Sequence, residues 1–273
     1  MQLTNKHLIY CKKLAPKATN TDNLPHIIWG HGWAQDHTSL LPLASSLQNI
    51  AHHWLLDLPG FGSSSQPQQV WGSQDYANFA SEWIKLNIPA NATKIWVGHS
   101  FGCRVGITLA SINPDLLNGL FLIAAAGIPR PIHLVEKIIR LGKIISFKSL
   151  KKLITLFNNE QYLNWLKTKF GSHDYRNADP NMRAILVKTI NENLANNAEK
   201  ISCPTELLYG KNDSETPVII GHTLQKLIKN SKLHVIPQKD HYTVLKDDIH
   251  QIIYLLKKFI INIQNNQTKI IQN

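Results

Sequence analysis

Ser100 lies at the centre of the segment G-H-S-F-G (98–102), directly after the apolar run K-I-W-V (94–97) and directly before a stretch with helical spacing. A nucleophile in such a strand-turn-helix arrangement has a strained backbone that lifts its hydroxyl clear of the sheet, so the residues two positions away must be small. Gly98 and Gly102 meet that requirement. The following helix directs free backbone donors toward the same point, where they favour developing negative charge. The pattern therefore predicts that Ser100 is a nucleophile.

A serine hydroxyl needs a base to take its proton and an acid to orient that base. In this architecture the acid follows the serine along the chain, and the histidine follows the acid. Asp213 comes shortly after the apolar run T-E-L-L-Y (205–209), and His241 comes shortly after the run K-L-H-V-I (232–236). Because the carboxyl ends of parallel strands meet at one edge of a sheet, we expect Ser100, Asp213 and His241 to converge as a catalytic triad.

Other acids and histidines fit these two roles less well. Glu215 is expected to begin a helix, where an acidic side chain has a capping role, and Asp240 is adjacent to His241 and would point away from it. An acid could also follow the preceding strand, but A-A-A-G (124–127) offers none. Three further histidines fall within a predicted strand or helices and are interpreted as structural: His234, His222 and His250.

Two backbone amides are expected to stabilise the oxyanion of a tetrahedral intermediate. One belongs to Phe101, immediately after the nucleophile, and the other to Trp33 in the glycine-containing segment W-G-H-G-W (29–33). The side chains of Trp33 and Phe101 are expected to line the acyl pocket. Their neighbours His31 and His99 are interpreted as histidines that hold turns by hydrogen bonds. The segment D-L-P-G-F-G (57–62) is interpreted as a rigid turn with a structural role.

The elements that position these residues follow from alternating apolar and amphipathic stretches, a pattern typical of a parallel sheet with crossover helices. We predict strands over residues 26–29, 54–58, 94–98, 119–124, 205–209 and 232–236. We predict helices near residues 39–48, 75–87, 101–113, 218–229 and 245–261.

One long interval, of roughly 75 residues before the strand at 205, has helical spacing throughout. Its first part, 131–157, alternates apolar and basic positions and predicts a basic amphipathic helix pair. Such a pair can lie on a membrane, but in a compact α/β chain it is more typical of a lid over the ligand edge of the sheet. The lid is the favoured interpretation.

Composition narrows the class of protein. The formal charge is +11, but residues 130–200 carry 13 Lys and Arg against 6 Asp and Glu, so most of the excess positive charge lies in one segment. We therefore expect no nucleic-acid partner. No apolar run reaches the roughly 18 residues that span a bilayer, so stable membrane insertion is not expected. The first residues lack a secretory pattern, so we expect a cytoplasmic location. The three cysteines have no metal or disulfide spacing, and no phosphate-binding glycine loop is present. No cofactor or metal is expected.

Five motifs in this order resemble the α/β-hydrolase superfamily: H-G-W (31–33), D-L-P-G-F-G (57–62), G-H-S-F-G (98–102), G-K-N-D (210–213) and D-H (240–241). Residues 171–176 with 181–183 look like the cap of a bacterial subgroup. The first two motifs are also shared with carboxylesterases that demethylate pimeloyl esters in biotin synthesis. Cys103 departs from these relatives, which usually carry glycine there.

The resemblance implies an eight-stranded, mostly parallel sheet with a helical cap after the sixth strand. It divides the chain into a core (1–127 and 203–265), a cap (128–202) and a flexible tail (266–273). It also implies a carboxylic ester hydrolase acting on a small-molecule acyl ester, with the oligomeric state left open. Two alternatives remain: cleavage of a carbon-carbon bond beside a ketone by the same triad, and a ligand-binding protein that keeps the fold without catalysis.

Overall fold

The computed structural model describes residues 2–4, 7–17, 23–130, 175–176, 178–247 and 249–272. The basic helix pair expected over residues 131–157 lies outside these ranges, as do positions 171–174 of the segment that resembles a bacterial cap. The proposed limits of the cap, 128–202, therefore stay a prediction.

A seven-stranded sheet forms the centre of the molecule. Its strand order is β3-β5-β4-β6-β7-β8-β9, with β3 antiparallel to β5 and every other neighbour parallel. The first two strands form a separate antiparallel hairpin. The strands are β1 (Gln2–Thr4), β2 (His7–Ile9), β3 (Cys11–Leu14), β4 (His26–Gly30), β5 (His52–Leu56), β6 (Lys94–His99), β7 (Gly119–Ile123), β8 (Thr205–Gly210) and β9 (Ser231–Ile236).

The α/β class and the mostly parallel sheet are confirmed, and the six strands predicted from the sequence are present with ends shifted by at most two residues. The strand count differs. Among the described residues the sheet has seven strands, close to the expected eight, and β1 pairs with β2 outside it. The three N-terminal strands were not predicted, since β3 has no buried face that would give its sequence an alternating pattern.

Helices cover both faces of the sheet. A 3-10 turn at His37–Ser39 precedes α1 (Leu41–Ser46), α2 (Ser73–Asn87), α3 (Phe101–Ile112), α4 (Pro180–Ile190), α5 (Ala195–Ala198), α6 (Val218–Leu227), α7 (Thr243–Lys246) and α8 (His250–Gln272). The single C-terminal helix expected at 245–261 is thus two helices, because Asp247 ends α7 in extended backbone. The second extends to Gln272, so the backbone of residues 266–272, expected as a flexible tail, is helical.

Consecutive residues of the buried strands pack on opposite faces, which divides the core into two clusters. Ile28 and Trp96 contribute to the cluster under α2 and α3, whereas Ile27 and Val97 contribute to the cluster under α1 and α8. Both faces are covered, so the central strands are continuously apolar, as expected for parallel strands.

The register of the sheet brings the candidate chemistry to one edge. Gly30 pairs with Gly98, His99 with Ile123, and Gly210 with Ile236. Strands β4, β6, β7, β8 and β9 therefore end at a common edge, and the loops after them begin there. None of the helices in the described ranges is both long and apolar enough to cross a membrane.

Candidate active site

Ser100 occupies the sharp turn between β6 and α3. Its backbone has φ 49° and ψ −104°, a conformation that costs a non-glycine residue energy and persists only where the surroundings enforce it. A Cβ at Gly98 would lie 2.7 Å from the backbone of Gly102, and a Cβ at Gly102 would lie 1.9 Å from the carbonyl oxygen of Gly30. The small residues predicted on both sides of the nucleophile are therefore required by direct backbone contact.

The side chains of Ser100, His241 and Asp213 meet at this turn. His241 Nε2 is 2.9 Å from Ser100 Oγ, and His241 Nδ1 is 2.8 Å from Asp213 Oδ2. Since the carboxylate can only accept, Nδ1 carries the proton, which leaves the lone pair of Nε2 to accept the hydrogen of the serine hydroxyl. The loops that follow β6, β8 and β9 thus bring together the three residues selected from the sequence.

Asp213 is buried, and burial alone would raise its pKa. Hydrogen bonds from His241 and from Thr216, together with the nearby imidazole, outweigh burial and lower the pKa of Asp213 below its ordinary value. The carboxylate is consequently ionised at neutral pH and can stabilise a positive charge on His241.

Thr216 is a neighbour of this pair that the sequence analysis missed. Its hydroxyl oxygen lies 2.8 Å from Asp213 Oδ2, 3.1 Å from His241 Nδ1 and 3.1 Å from the carbonyl oxygen of Ala124. The amides of Glu215 and Thr216 donate to Asp213 Oδ1 at 2.8 and 2.7 Å. An aspartate that accepts from the amides two and three residues later is a local motif, so the spacing of Asp213 and Thr216 was the available signal.

Among the acids set aside from the sequence, Glu215 is exposed and lies in the loop before α6, so the expectation that it begins that helix is wrong, since α6 begins at Val218. Asp240 Oδ1 accepts from the amides of Tyr242 and Thr243, directly before and at the start of α7. His234 pairs with Glu206 on the neighbouring strand. His222 and His250 lie in helices and are exposed.

The loop after β4 packs directly on the start of α3. His31 is fully buried, with Nδ1 2.7 Å from the carbonyl oxygen of Gly32 and Nε2 3.0 Å from the amide of Leu58. The amide must donate to Nε2, so Nδ1 carries the proton and donates to Gly32. Burial lowers the pKa of His31, consistent with a neutral ring. The sequence-based interpretation of His31 as a histidine that holds a turn agrees with these contacts.

This contact orients one of the two expected oxyanion donors. The carbonyl of Gly32 and the amide of Trp33 belong to the same planar trans peptide and point in opposite directions. Because His31 holds the carbonyl, the amide of Trp33 points away from His31. Phe101 is the first residue of α3, so its amide has no intrahelical partner.

Aromatic rings cluster around Phe101, the residue that follows Ser100. The ring centroids of Trp33 and Phe101 are 5.3 Å apart, with an interplanar angle of 86°. Phe61 joins them at 4.8 Å from Trp33 and 5.8 Å from Phe101, and Tyr76 lies 5.0 Å from Phe101. Phe61 belongs to the turn interpreted as structural, and only the tertiary contacts reveal that its ring reaches this cluster.

The rest of that turn is held by Asp57. Its Oδ2 accepts from the amide of Ser63 at 2.9 Å, and its Oδ1 accepts from the amide of His37 at 2.8 Å. Gly62 has φ 54°, and a Cβ there would lie 2.2 Å from Asp57 Oδ2. Asp36, His37 and Asp57 are close enough together to be considered as metal ligands, but the oxygens of Asp57 are already engaged by these donors.

Cys103 does not intrude on the site. Its fully buried thiol lies 3.1 Å from the carbonyl oxygen of Gly98 and 3.3 Å from that of Ile123, beneath the turn. Burial raises the pKa of this thiol well above its ordinary value, so it stays protonated. The larger side chain is therefore accommodated on the strand side of the helix.

Similar proteins were found by sequence. A family described as alpha/beta hydrolase fold matches residues 25–147. The probable lysophospholipase BODYGUARD 2 of Arabidopsis thaliana is 20% identical over 282 aligned positions, covering 89% of this chain and 59% of that protein. The pimeloyl-[acyl-carrier protein] methyl ester esterase of Shewanella sp. (strain MR-7) is 34% identical over 105 positions, covering 37% of this chain and 35% of that protein. The chain thus spans less than two thirds of the length of these two relatives.

A third relative is the 2-hydroxy-6-oxononadienedioate/2-hydroxy-6-oxononatrienedioate hydrolase 2 of Pseudomonas putida. It is 24% identical over 224 positions, and the alignment covers 77% of this chain and 77% of that protein. Among solved structures, a thermophilic esterase from Thermogutta terrifontis has a TM-score of 0.67 at 18% identity and covers 94% of both chains. At that identity the similarity establishes the fold. Together these matches show that the chain has the alpha/beta hydrolase fold.

Proposed function

Because the chain has the α/β-hydrolase fold, we propose that it hydrolyses carboxylic esters through a triad of Ser100, His241 and Asp213. The observation that carries the proposal is the continuous pair of contacts from Ser100 Oγ to His241 Nε2 at 2.9 Å and from His241 Nδ1 to Asp213 Oδ2 at 2.8 Å. A serine with this base and this orienting acid is an activated nucleophile.

The first half of the reaction forms an acyl-enzyme. Ser100 Oγ attacks the ester carbonyl carbon while its proton passes to His241 Nε2, and Asp213 stabilises the resulting imidazolium. The carbonyl oxygen becomes an oxyanion, which accepts hydrogen bonds from the amides of Trp33 and Phe101. When the tetrahedral intermediate collapses, the bond to the alcohol oxygen breaks, and His241 returns its proton to the departing alcohol.

The second half releases the acid. Water enters, His241 Nε2 takes one of its protons, and the oxygen attacks the acyl carbon of the ester formed with Ser100. Collapse of the second intermediate breaks the bond to Ser100 Oγ, which takes the proton from His241. The products are one carboxylic acid and one alcohol, and one water is consumed. No step calls for a metal or a cofactor.

Trp33, Phe101 and Phe61 are proposed to contact the acyl chain, since their rings adjoin the nucleophile and offer an apolar wall. We further propose that residues 128–202 cover this wall as a cap. Two of the relatives carry names that state or imply an ester substrate, which supports the ester among the bonds that a serine triad can cleave.

A second candidate reaction rests on the Pseudomonas relative. The substrates in its name carry a ketone and two acids but no ester, so their hydrolysis breaks a carbon-carbon bond. The same triad serves both reactions. Turnover of a ketone substrate of this type, measured beside turnover of esters, distinguishes carbon-carbon bond cleavage from ester hydrolysis.

The test measures turnover of p-nitrophenyl esters with short and long acyl chains by wild type and Ser100→Ala. His222→Ala, an exposed histidine in α6, is the matched control. We expect hydrolysis by wild type and control, labelling of Ser100 by a fluorophosphonate, and a loss of at least about 10³-fold in Ser100→Ala. Folded wild type that binds acyl ligands without turning them over would establish the non-catalytic alternative.

A further inference from the structure

His99 is a buried titratable group with no place in the mechanism above. It is the last residue of β6, directly before Ser100, and its side chain is 1% exposed. Burial, and secondarily the neighbouring imidazole of His241, lower the pKa of His99 to about 3. The ring is therefore neutral at neutral pH and carries one proton.

That proton has a defined position. His99 Nε2 lies 3.1 Å from the backbone carbonyl oxygen of His241, 142 residues along the chain. A carbonyl oxygen only accepts, so Nε2 donates and the ring is the Nε2–H tautomer. The rings of His99 and His241 are also in contact, with centroids 5.1 Å apart and planes inclined at 44°.

His241 lies in a loop that needs such support. Between the end of β9 and the start of α7 the chain passes through Gln238, whose φ is 61°. Within the described ranges, the bond from His99 is the only hydrogen bond found on the main chain of His241. Asp213 fixes the ring at Nδ1, but a ring fixed at one atom can still swing if its backbone shifts.

The opposite edge of His99 is also constrained. With the proton on Nε2, His99 Nδ1 does not donate to Gln35 Oε1, which lies 3.3 Å away and accepts from the amide of Gly32 at 3.0 Å, so this approach is a packing contact. A Cβ at Gly32 would lie 2.8 Å from His99 Nδ1. The loop after β4 that contains Gly32 and Trp33, here called the oxyanion loop, therefore packs directly against the ring. The imidazole of His99 therefore fills the space between the oxyanion loop and the loop from β9 to α7 that carries His241. It has no room to move away from His241.

We propose that His99 is a positioning residue that sets the distance between His241 and Ser100 through its hydrogen bond to the main chain of His241. This inference rests on the proposed function. His99 neither touches substrate nor exchanges protons with it. A displacement of about 1 Å in a catalytic group can cost about 10²-fold in rate, so one bond to this loop can matter to kcat.

The main test compares two substitutions. His99→Phe keeps a ring but removes the donor, and His99→Gln retains an N–H near the position of Nε2. We expect kcat for p-nitrophenyl esters to fall about 10- to 100-fold in His99→Phe with KM within about threefold, and to recover to within about fivefold of wild type in His99→Gln. His53→Phe removes an equally buried imidazole at the opposite end of the sheet and should leave kcat unchanged. If His99→Phe does not fold, the shorter donor of His99→Asn, which cannot reach the carbonyl, replaces it.

A second readout does not depend on turnover. In protein labelled with ¹⁵N-histidine, the Nδ1–H resonance of His241 reports its bond to Asp213. We expect this resonance to broaden or shift in His99→Phe and to be retained in His99→Gln. An unchanged resonance and unchanged kcat in folded His99→Phe would overturn the inference. Folded wild type that shows the resonance but no ester turnover would instead overturn the proposed function, and the resonance would still decide the role of His99.

Discussion

The proton on His31 Nδ1 holds the carbonyl oxygen of Gly32 at 2.7 Å, and together with the amide of Gln35, which donates to the same oxygen at 3.2 Å, this contact fixes the direction of the next amide, that of Trp33. The imidazole is itself fixed from behind, because Nε2 accepts from the amide of Leu58 at 3.0 Å. The strand that ends at Leu56 thereby supports the loop that we propose supplies an oxyanion donor.

Replacing His31 by phenylalanine should loosen that peptide, whose carbonyl oxygen keeps only the longer bond of 3.2 Å from the amide of Gln35. We expect kcat for esters to fall by about 10² with little change in KM, because one oxyanion donor is typically worth about 10² to 10³ in rate. The amide of Leu58 also loses its partner, which should cost about 1–3 kcal/mol of unfolding free energy. Steady-state kinetics and denaturant titration measure the two effects, with His222→Ala as the control. Wild-type kcat in a destabilised His31→Phe would show that the loop does not need this contact.

Gly102→Ala should distort the turn at Ser100 and lower both the stability and the activity of the protein. The new Cβ would lie 1.9 Å from the carbonyl oxygen of Gly30, and neither backbone can yield without moving the oxyanion loop or Ser100. We expect at least about a tenfold loss of kcat/KM and a lower melting temperature. Ser111→Ala, near the other end of α3, should change neither by a comparable amount. A fully active Gly102→Ala would mean that the loop can shift freely.

Thr216→Val removes a hydroxyl that contacts both Asp213 and His241 while keeping its shape. Since this hydrogen bond helps to lower the pKa of Asp213, its loss should raise that pKa and loosen the carboxylate. We expect kcat to fall about tenfold, and Thr216→Ser, which retains the hydroxyl, to stay within about threefold of wild type. The pair is compared by steady-state kinetics over a range of pH. Equal rates in the two variants would exclude a role for the hydroxyl.

Stability should decline in mild acid because of buried histidines. Burial lowers the pKa of His26 and of His53 to about 4, from 6.5 in the unfolded chain. Both folded rings resist protonation that the unfolded chain accepts, so stability is complete above pH 6.5 and is lost as pH falls toward 4. The indole N–H groups of Trp54 and Trp29 donate to their Nδ1 atoms, and protonation would break these bonds.

We expect the melting temperature at pH 5 to lie roughly 5 °C below that at pH 7.5. Calorimetry across this range measures the decline. His53→Gln should flatten the dependence of melting temperature on pH because one of the titrating groups is gone, whereas His222→Ala, at an exposed site, should not. A melting temperature that stays constant from pH 7.5 to pH 5 would contradict the assignment.

The sequence predicted the elements best where local chemistry and packing agree. Five of the six predicted strands are buried on both faces and read as apolar runs, whereas β9 is only partly buried, and the ends of all six were correct to within two residues. Strand β3 carries Lys12 and Lys13 and has no buried face, and it was missed. The C-terminal helix was predicted as one piece, although its break at Asp247 leaves the apolar spacing on both sides intact.

Ser100, Asp213 and His241 could be selected from the sequence alone, because parallel strands end at one edge and the first residues after them must lie there. The glycines beside Ser100 were predictable for a similar reason, since the turn leaves no room for a Cβ. The tertiary structure alone decided that His99 bonds the main chain of His241, that Phe61 reaches the ring of Trp33, and that the hydroxyl of Thr216 reaches the ring of His241. These contacts depend on the distances between loops to within a few tenths of an ångström. Side-chain packing sets those distances, and no local spacing in a sequence records them.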